Sequence, residues 1–118
     1  MTELLISVLE TFGYPVRLQG SLAEDEAYPD SFFTFWNNSS EDGSHYDNNP
    51  INYVWEYDVN AYSTDPATVY SMLEAARVAL KAEGFIISGK GRTVASDEVT
   101  HTGRGFTALK IENNTMEV

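Results

Sequence analysis

One ten-residue segment, 53–62 (YVWEYDVNAY), limits most strongly the folds that this chain can adopt. Its aromatic and small apolar residues alternate with Glu56, Asp58 and Asn60. This period of two predicts a β-strand with one buried face and one solvated, acidic face. A strand of this kind belongs to a sheet that other elements cover on one side.

In two segments the apolar residues have helical spacing, so these segments predict helices that can pack on the buried face of the sheet. Residues 65–83 form the stronger prediction: Asp65 can cap the helix, Pro66 suits its first position, and Gly84 follows its end. Its apolar stripe has the expected spacing and consists of Val69, Met72, Leu73, Ala76 and Leu80. Residues 2–12 predict a second helix, because their apolar side chains also fall on one stripe.

The remaining segments predict strands and loops. Residues 31–36 (SFFTFW) are aromatic on both faces, which is typical of a strand that is central or covered by another surface. Shorter strands are predicted at 16–19, 85–88 and 106–112, and loops at 21–30 and 37–50. Residues 89–105 predict either a long loop or an open hairpin. We therefore expect an α+β domain over residues 1–118, with two helices packed on a mostly antiparallel sheet of about four to five strands, in the order α-β-β-β-α-β-β.

Length and composition exclude several classes of protein. The 118 residues suit one domain, and the absence of cysteine excludes disulfides and thiolate metal sites. No apolar run approaches the roughly 18 residues of a membrane span. The N-terminal segment MTELLISVLE has an acid where a signal peptide needs basic residues. We therefore expect no membrane contact, no cofactor, and a location in a cytoplasm or in an assembly made there.

Acidic residues outnumber basic residues by 18 to 7, for a net charge of -11, and they are unevenly distributed. Residues 1–76 contain 13 acidic residues and one basic residue, Arg17, for a net charge of -12 (1 minus 13). Residues 77–118 contain 5 acidic and 6 basic residues, for a net charge of +1 (6 minus 5). The balance argues against a protein that grips nucleic acid, which needs clustered cations. The asymmetry favours a soluble acidic surface, head-to-tail contact between copies, or contact with a charged partner.

No catalytic motif is complete. Residues 84–90 (GFIISGK) approach a phosphate-binding loop, but Gly91 stands where Ser or Thr must bind magnesium, and no helix is predicted to follow. His45 and His101 lie near carboxylates in sequence, as in a metal site or an acid–base pair, but neither has a second histidine at ligand spacing. We therefore predict that the chain is not an enzyme. An enzyme that uses either histidine with a carboxylate is the alternative.

Four sequence segments are similar to a known family. They are YPDSFFTFWN, SSEDGSHYDN, WEYDVNAYSTDP and LKAEGFIISGKGRTVASDEVTHTGRGF, and they cover most of the chain between residues 28 and 112. They resemble small prophage-encoded tail proteins of Gram-positive siphophages, in the tail-terminator or tail-completion family. The most specific pieces are WEYDVNAYSTDP and the glycine-rich run at 89–105.

The resemblance implies a structural protein of the virion tail, with no catalytic residues. Members of such families form a ring, expected here to be a hexamer, that caps the finished tail tube and presents its other face to the head–tail connector. The implied partners are other copies of the chain, the tail tube protein and the connector protein. DNA is implied only as passing cargo.

Within such a ring, the charges indicate two candidate surfaces. The long segment 89–105 mixes cations and anions, so we expect it to contact a partner. Its candidate interface residues are Lys90, Arg92, Asp97, Glu98, His101 and Arg104. An acidic channel wall would let DNA pass without binding it, and the candidate wall residues are Glu24, Asp25, Glu26, Glu56 and Asp58. Two other functions remain open: another virion neck protein, such as a head-completion protein, and a small non-viral binding or regulatory module.

Overall fold

The computed structural model describes residues 1–19, 29–46, 49–96 and 100–113. Within these ranges the helices are α1 (Thr2–Glu10) and α2 (Pro66–Ala82). The strands in the same ranges are β1 (Val16–Leu18), β2 (Ser31–Tyr46), β3 (Asn49–Ser63), β4 (Ile86–Ile87), β5 (Arg92–Val94) and β6 (Thr102–Asn113). These elements confirm the predicted α+β class and the predicted order, to which β5 adds one strand.

All described strands belong to one sheet with the order β1-β2-β3-β6-β4, and β5 pairs with β6 as well. β1 runs parallel to β2, and the other pairs are antiparallel. The register places Val59 of the central strand β3 opposite both Phe35 of β2 and Phe106 of β6. Because directly opposed side chains share a face of the sheet, this register decides which residues meet.

The side of the sheet against which the helices pack is here named the covered face. Its strand residues include Phe33, Phe35, Val59, Ala61, Phe106 and Ala108, and all of them are buried. They pack with Leu5, Val8 and Leu9 of α1 in one apolar cluster. All five residues of the apolar stripe predicted for α2 are buried in the same cluster, which confirms that prediction.

Specific contacts define both ends of α2. Asp65 caps its N-terminus, because a side-chain oxygen accepts a hydrogen bond of 3.1 Å from the backbone N–H of Ala67. At the C-terminus Gly84 has φ +94°, and the backbone N–H of Phe85 donates to the carbonyl of Leu80 at 3.0 Å. The chain thus turns directly from α2 into β4. Neither described helix is long and apolar enough to cross a membrane.

Tyr57 lies on the covered face beside the start of α1. Its hydroxyl shares a hydrogen bond of 2.7 Å with Oγ1 of Thr2, and the ring of Trp55 stacks on its own ring at 6.3 Å. The indole N–H of Trp55 donates to the carboxylate of Glu112 at 3.0 Å. Burial raises the pKa of Tyr57 above its ordinary value; the hydrogen bond from Thr2 opposes this shift, and the charge of Glu112 adds to it.

The opposite side of the sheet, here named the open face, carries the alternate residues of the same strands. By register these are Phe32, Thr34, Trp36, Glu56, Asp58, Asn60, Tyr62, Ile86, Arg92, Gly103, Gly105, Thr107 and Leu109. Thr34 donates to the side-chain oxygen of Gln19 at 2.7 Å, and Asn60 donates to the same oxygen at 3.3 Å. Hydrogen bonds between side chains therefore replace apolar packing across part of this face.

The predicted loop at 37–50 is wrong for most of its length. β2 continues to Tyr46 and β3 begins at Asn49, so this polar segment belongs to a long antiparallel ribbon. Register shifts along β2, the first between Asn37 and Ser39, mark bulges or irregular pairing. Ladder hydrogen bonds use backbone groups alone, so a polar ribbon has no apolar alternation for a sequence pattern to show.

For residues 89–105 the structure shows the open hairpin and not a continuous loop, because β5 lies within this segment and pairs antiparallel with the first residues of β6. Glycines favour a loop in the sequence, but Gly103 and Gly105 lie in a strand under larger side chains. A Cβ atom on Gly103 would lie 2.6 Å from the ring of Tyr62, and one on Gly105 would overlap Oδ1 of Asn60. These glycines therefore allow side chains of β3 to lie across β6.

Candidate assembly interface

Arg104, a predicted interface residue, braces the fold. Its guanidinium lies 4.7 Å from the ring centre of Tyr70 on α2 and donates a hydrogen bond of 2.9 Å to the carbonyl of Gly91. Gly91 has φ +100°, and a Cβ atom there would lie 2.8 Å from the carbonyl oxygen of Gly105. Arg104 therefore fixes the segment that connects β4 to β5 against the edge of β6.

Arg92 and Asp58 meet on the open face, although 34 positions separate them in the sequence (92 minus 58). The closest guanidinium nitrogen of Arg92 lies 3.8 Å from Oδ1 of Asp58, and the hydroxyl of Thr107 donates to the same oxygen at 3.1 Å. The structure thus brings together one residue predicted for the interface and one predicted for the channel wall. The Arg92 side chain is 55% exposed, so this pair makes a small contribution to stability and leaves the cation accessible.

Lys90 is exposed between β4 and β5. Its charge is one of several that act on Glu74 of α2. The hydrogen bonds from Arg77 are the main reason that the pKa of Glu74 is lowered, and the charges of Arg77, Lys90 and Lys81 add to the effect. The cations of this region therefore lie close enough to one another to act on a shared carboxylate.

His101 joins the start of β6 to the segment before β2. Its Nε2 lies 2.7 Å from the carbonyl oxygen of Pro29, and a carbonyl can only accept, so Nε2 carries the proton. Nδ1 lies 3.0 Å from the hydroxyl oxygen of Thr100, so these two atoms share a second hydrogen bond. The ring packs edge-on against Phe32, which also stacks on Tyr62 at 5.1 Å. These contacts indicate that the ring braces the start of β6 against the segment before β2.

The two histidines do not converge. His101 immediately precedes Thr102, which pairs with Ser63 at one end of β3, whereas His45 pairs with Pro50 at the other end. Thirteen residues of β3 (63 minus 50) correspond to a backbone distance of roughly 40 Å. Across the described residues, no group of three or more His, Asp or Glu side chains is arranged to hold a metal ion.

The remaining predicted residues fall into two groups. Glu56 lies two positions before Asp58 on the open face, and its carboxylate accepts a hydrogen bond of 3.1 Å from the side-chain amide of Asn38. Five other predicted residues lie outside the described residues: Asp97 and Glu98 of the interface set, and Glu24, Asp25 and Glu26 of the channel-wall set. The two described wall candidates therefore share one face with Arg92.

Sequence reasoning missed the residues that shape this region. Thr107 binds Asp58, and Gly91 and Gly105 allow the close approach of the β4–β5 connection to β6. One usable signal is the two-residue spacing of Gly103 and Gly105, which places both glycines on the same face of a strand.

No protein-family model matches the chain, and no curated protein is significantly similar to it in sequence. The role in tail completion therefore stays a prediction. It depends on the four motif segments and on what the arrangement of charges permits.

Proposed function

We propose that this chain is a structural protein of a phage tail that closes the tail tube by forming a ring and joins the tube to the head connector. The resemblance of its motif segments to tail-completion proteins supplies the identity of the assembly. The observation that carries the proposal is that most basic residues lie on the elements at the β6–β4 end of the strand order, on both faces of the sheet.

Arg17 lies on β1, and the other six basic residues lie on α2, β5, β6 or the β4–β5 connection. These six are Arg77, Lys81, Lys90, Arg92, Arg104 and Lys110. β1 and β4 are at opposite ends of the strand order, so the elements that carry these six cations lie toward the end of the sheet that is distant from β1. The acid-rich sequence 21–30 directly follows the β1 region. A ring needs two different patches that meet around an axis, and the cations of one copy with the acid-rich sequence of the next would supply such a pair.

The open face is the proposed channel wall. Glu56 and Asp58 lie on it, and the negative charge of the whole chain limits attraction to the phosphate backbone of DNA. Arg92 offsets part of the charge of Asp58. DNA would therefore meet a polar, mildly acidic surface that lets it slide.

The ring is tested by native mass spectrometry and negative-stain electron microscopy of the purified chain at high concentration. We expect a six-fold species and annular particles with a central hole. The variant Arg92→Glu should shift the distribution toward smaller species. The matched control is Arg17→Glu on β1, which makes the same change of charge at the other end of the strand order. A strict monomer at every concentration, together with no annular particles, would contradict the ring.

The role in the tail is tested by disrupting the gene in the phage or prophage that encodes the chain. We expect heads without attached tails, together with free tails of irregular length, under the electron microscope. Normal virions from that disruption would refute the proposal. Deletion of residues 89–105 is an unsuitable test, because it removes β5 and the first four residues of β6 (102–105).

A further inference from the structure

A groove lies where the edge of β6 is left without a strand partner. β4 pairs with Leu109 and Ala108, and β5 pairs with Gly105 and the two residues before it. The connecting residues 88–91 pass Phe106 and Thr107 and leave a groove of about 400 Å³, here named the edge groove. One side of the edge groove is fixed, because Arg104 holds the carbonyl of Gly91.

The edge groove combines two cations with an apolar wall. Lys90 and Arg92 line it, and the ion pair of Arg92 with Asp58 is long, at 3.8 Å. Ile86, which is 52% exposed, lies directly opposite Leu109, and both residues line the groove. An occupant that suits these groups carries carboxylates next to small apolar or aromatic side chains.

We infer that the edge groove binds a short acidic peptide segment, and that this segment is residues 21–30 (SLAEDEAYPD) of a neighbouring copy. The inference rests on the ring proposed above. The segment carries three consecutive carboxylates, Glu24, Asp25 and Glu26, between alanines and followed by Tyr28. It belongs to the part of the chain with net charge -12, and the groove belongs to the part with net charge +1. Since Ile86, Arg92 and Leu109 of the groove belong to the open face, these three carboxylates would lie where the contact between copies meets the channel wall.

The first test measures binding of a fluorescently labelled synthetic peptide SLAEDEAYPD to the whole chain by fluorescence anisotropy. We expect saturable binding that weakens as salt is raised and that falls about tenfold in the double variant Lys90→Glu/Arg92→Glu. The wild-type chain should bind the control peptide SLAQNQAYPN, which has amides in place of the carboxylates, at least as weakly as the double variant binds SLAEDEAYPD. The variant Lys81→Glu should bind SLAEDEAYPD with unchanged affinity. Because Arg92→Glu places a second acid beside Asp58, the single variant Lys90→Glu is measured as well. Equal affinity for both peptides, or an affinity that neither variant lowers, would overturn the inference.

The second test separates the edge groove from the ring as a whole. A chain with Glu24, Asp25 and Glu26 replaced by lysine and a chain with Lys90→Glu/Arg92→Glu should each fail to assemble. Mixing the two restores unlike charges at every contact, so we expect rings of alternating copies. Rings from either variant alone would exclude the groove contact while leaving the ring intact. Peptide binding that depends on Lys90, in a chain that never forms rings, would retain the groove and refute the ring.

Discussion

The covered face and the open face are built from alternate residues of the same strands, yet different interactions hold them. On β2, Phe33 is fully buried in the apolar cluster with the helices, whereas Trp36, on the other face, is 49% exposed. On β3, Val59 packs in that cluster, whereas Asn60 binds Gln19 and Asp58 lies beside Arg92. The covered face therefore supplies most of the stability, because burial of apolar area is the larger favourable contribution.

This difference shows how one sheet can stabilise the fold with one face and leave the other face available for contacts. Surface ion pairs and partly exposed hydrogen bonds each contribute little to stability, so residues of the open face can change without unfolding the protein. Two kinds of residue are exceptions on this face: the stacked rings of Phe32 and Tyr62, which are 2% and 6% exposed, and the glycines. At Gly105 the side chain of Asn60 lies across the backbone, and packing is as tight as in the apolar cluster.

The largest expected difference comes from truncating one aromatic side chain on each face of β2. Phe33→Ala should lower the free energy of unfolding by about 3–5 kcal/mol, because it opens a cavity against the helices. Trp36→Ala, three positions later and half exposed, should cost less than about 1.5 kcal/mol. Urea denaturation followed by circular dichroism measures both values. Equal losses from the two variants would show that the open face is covered as fully as the helical side.

An intermediate effect is expected from Gly105→Ala on the open face. A methyl group there meets Oδ1 of Asn60 and lies 2.9 Å from the carbonyl oxygen of Val59, so β3 and β6 must separate. We expect a loss of about 1–3 kcal/mol in the free energy of unfolding. The matched control is Asn60→Gly in the Gly105→Ala background, which removes the obstructing amide. No recovery of stability in that double variant would contradict the proposed clash.

The smallest effect concerns Tyr57 and depends on pH. Below the ordinary tyrosine pKa of 10.0, Tyr57→Phe should cost about 1 kcal/mol, because it removes the hydrogen bond to Thr2. The raised pKa of Tyr57 favours the folded state only while the phenol is protonated, so this stability is lost as pH rises from 10.0 through the raised value. The wild-type chain should therefore lose stability more steeply above pH 10 than Tyr57→Phe. Parallel pH profiles of the melting temperature would refute this, since the other six tyrosines (7 minus 1) are common to both proteins.

Sequence patterns predicted the covered face well. The alternation along 53–62 and the apolar stripe of α2 both record burial against a second layer, and the structure places those side chains in one cluster. The ends of α2 were equally predictable, because the capping residue Asp65 and the glycine after the helix act within a few residues. The strands within 37–50 were not predictable in this way, because this polar ribbon pairs through backbone groups and shows no apolar alternation. For 89–105 the sequence allowed a loop or an open hairpin, and the pairing of β5 with β6 decided between them.

For the candidate interface, the number of charged residues and their uneven distribution on either side of residue 77 follow from the sequence alone. Tertiary structure alone decided that Arg92 lies beside Asp58, that Arg104 braces Gly91, and that a groove opens at the edge of β6. The reason is the separation in sequence over which each interaction acts, because periodicity and capping relate residues that are near neighbours in the chain. The register between β3 and β6, by contrast, joins residues far apart in the sequence through backbone hydrogen bonds that any side chain permits.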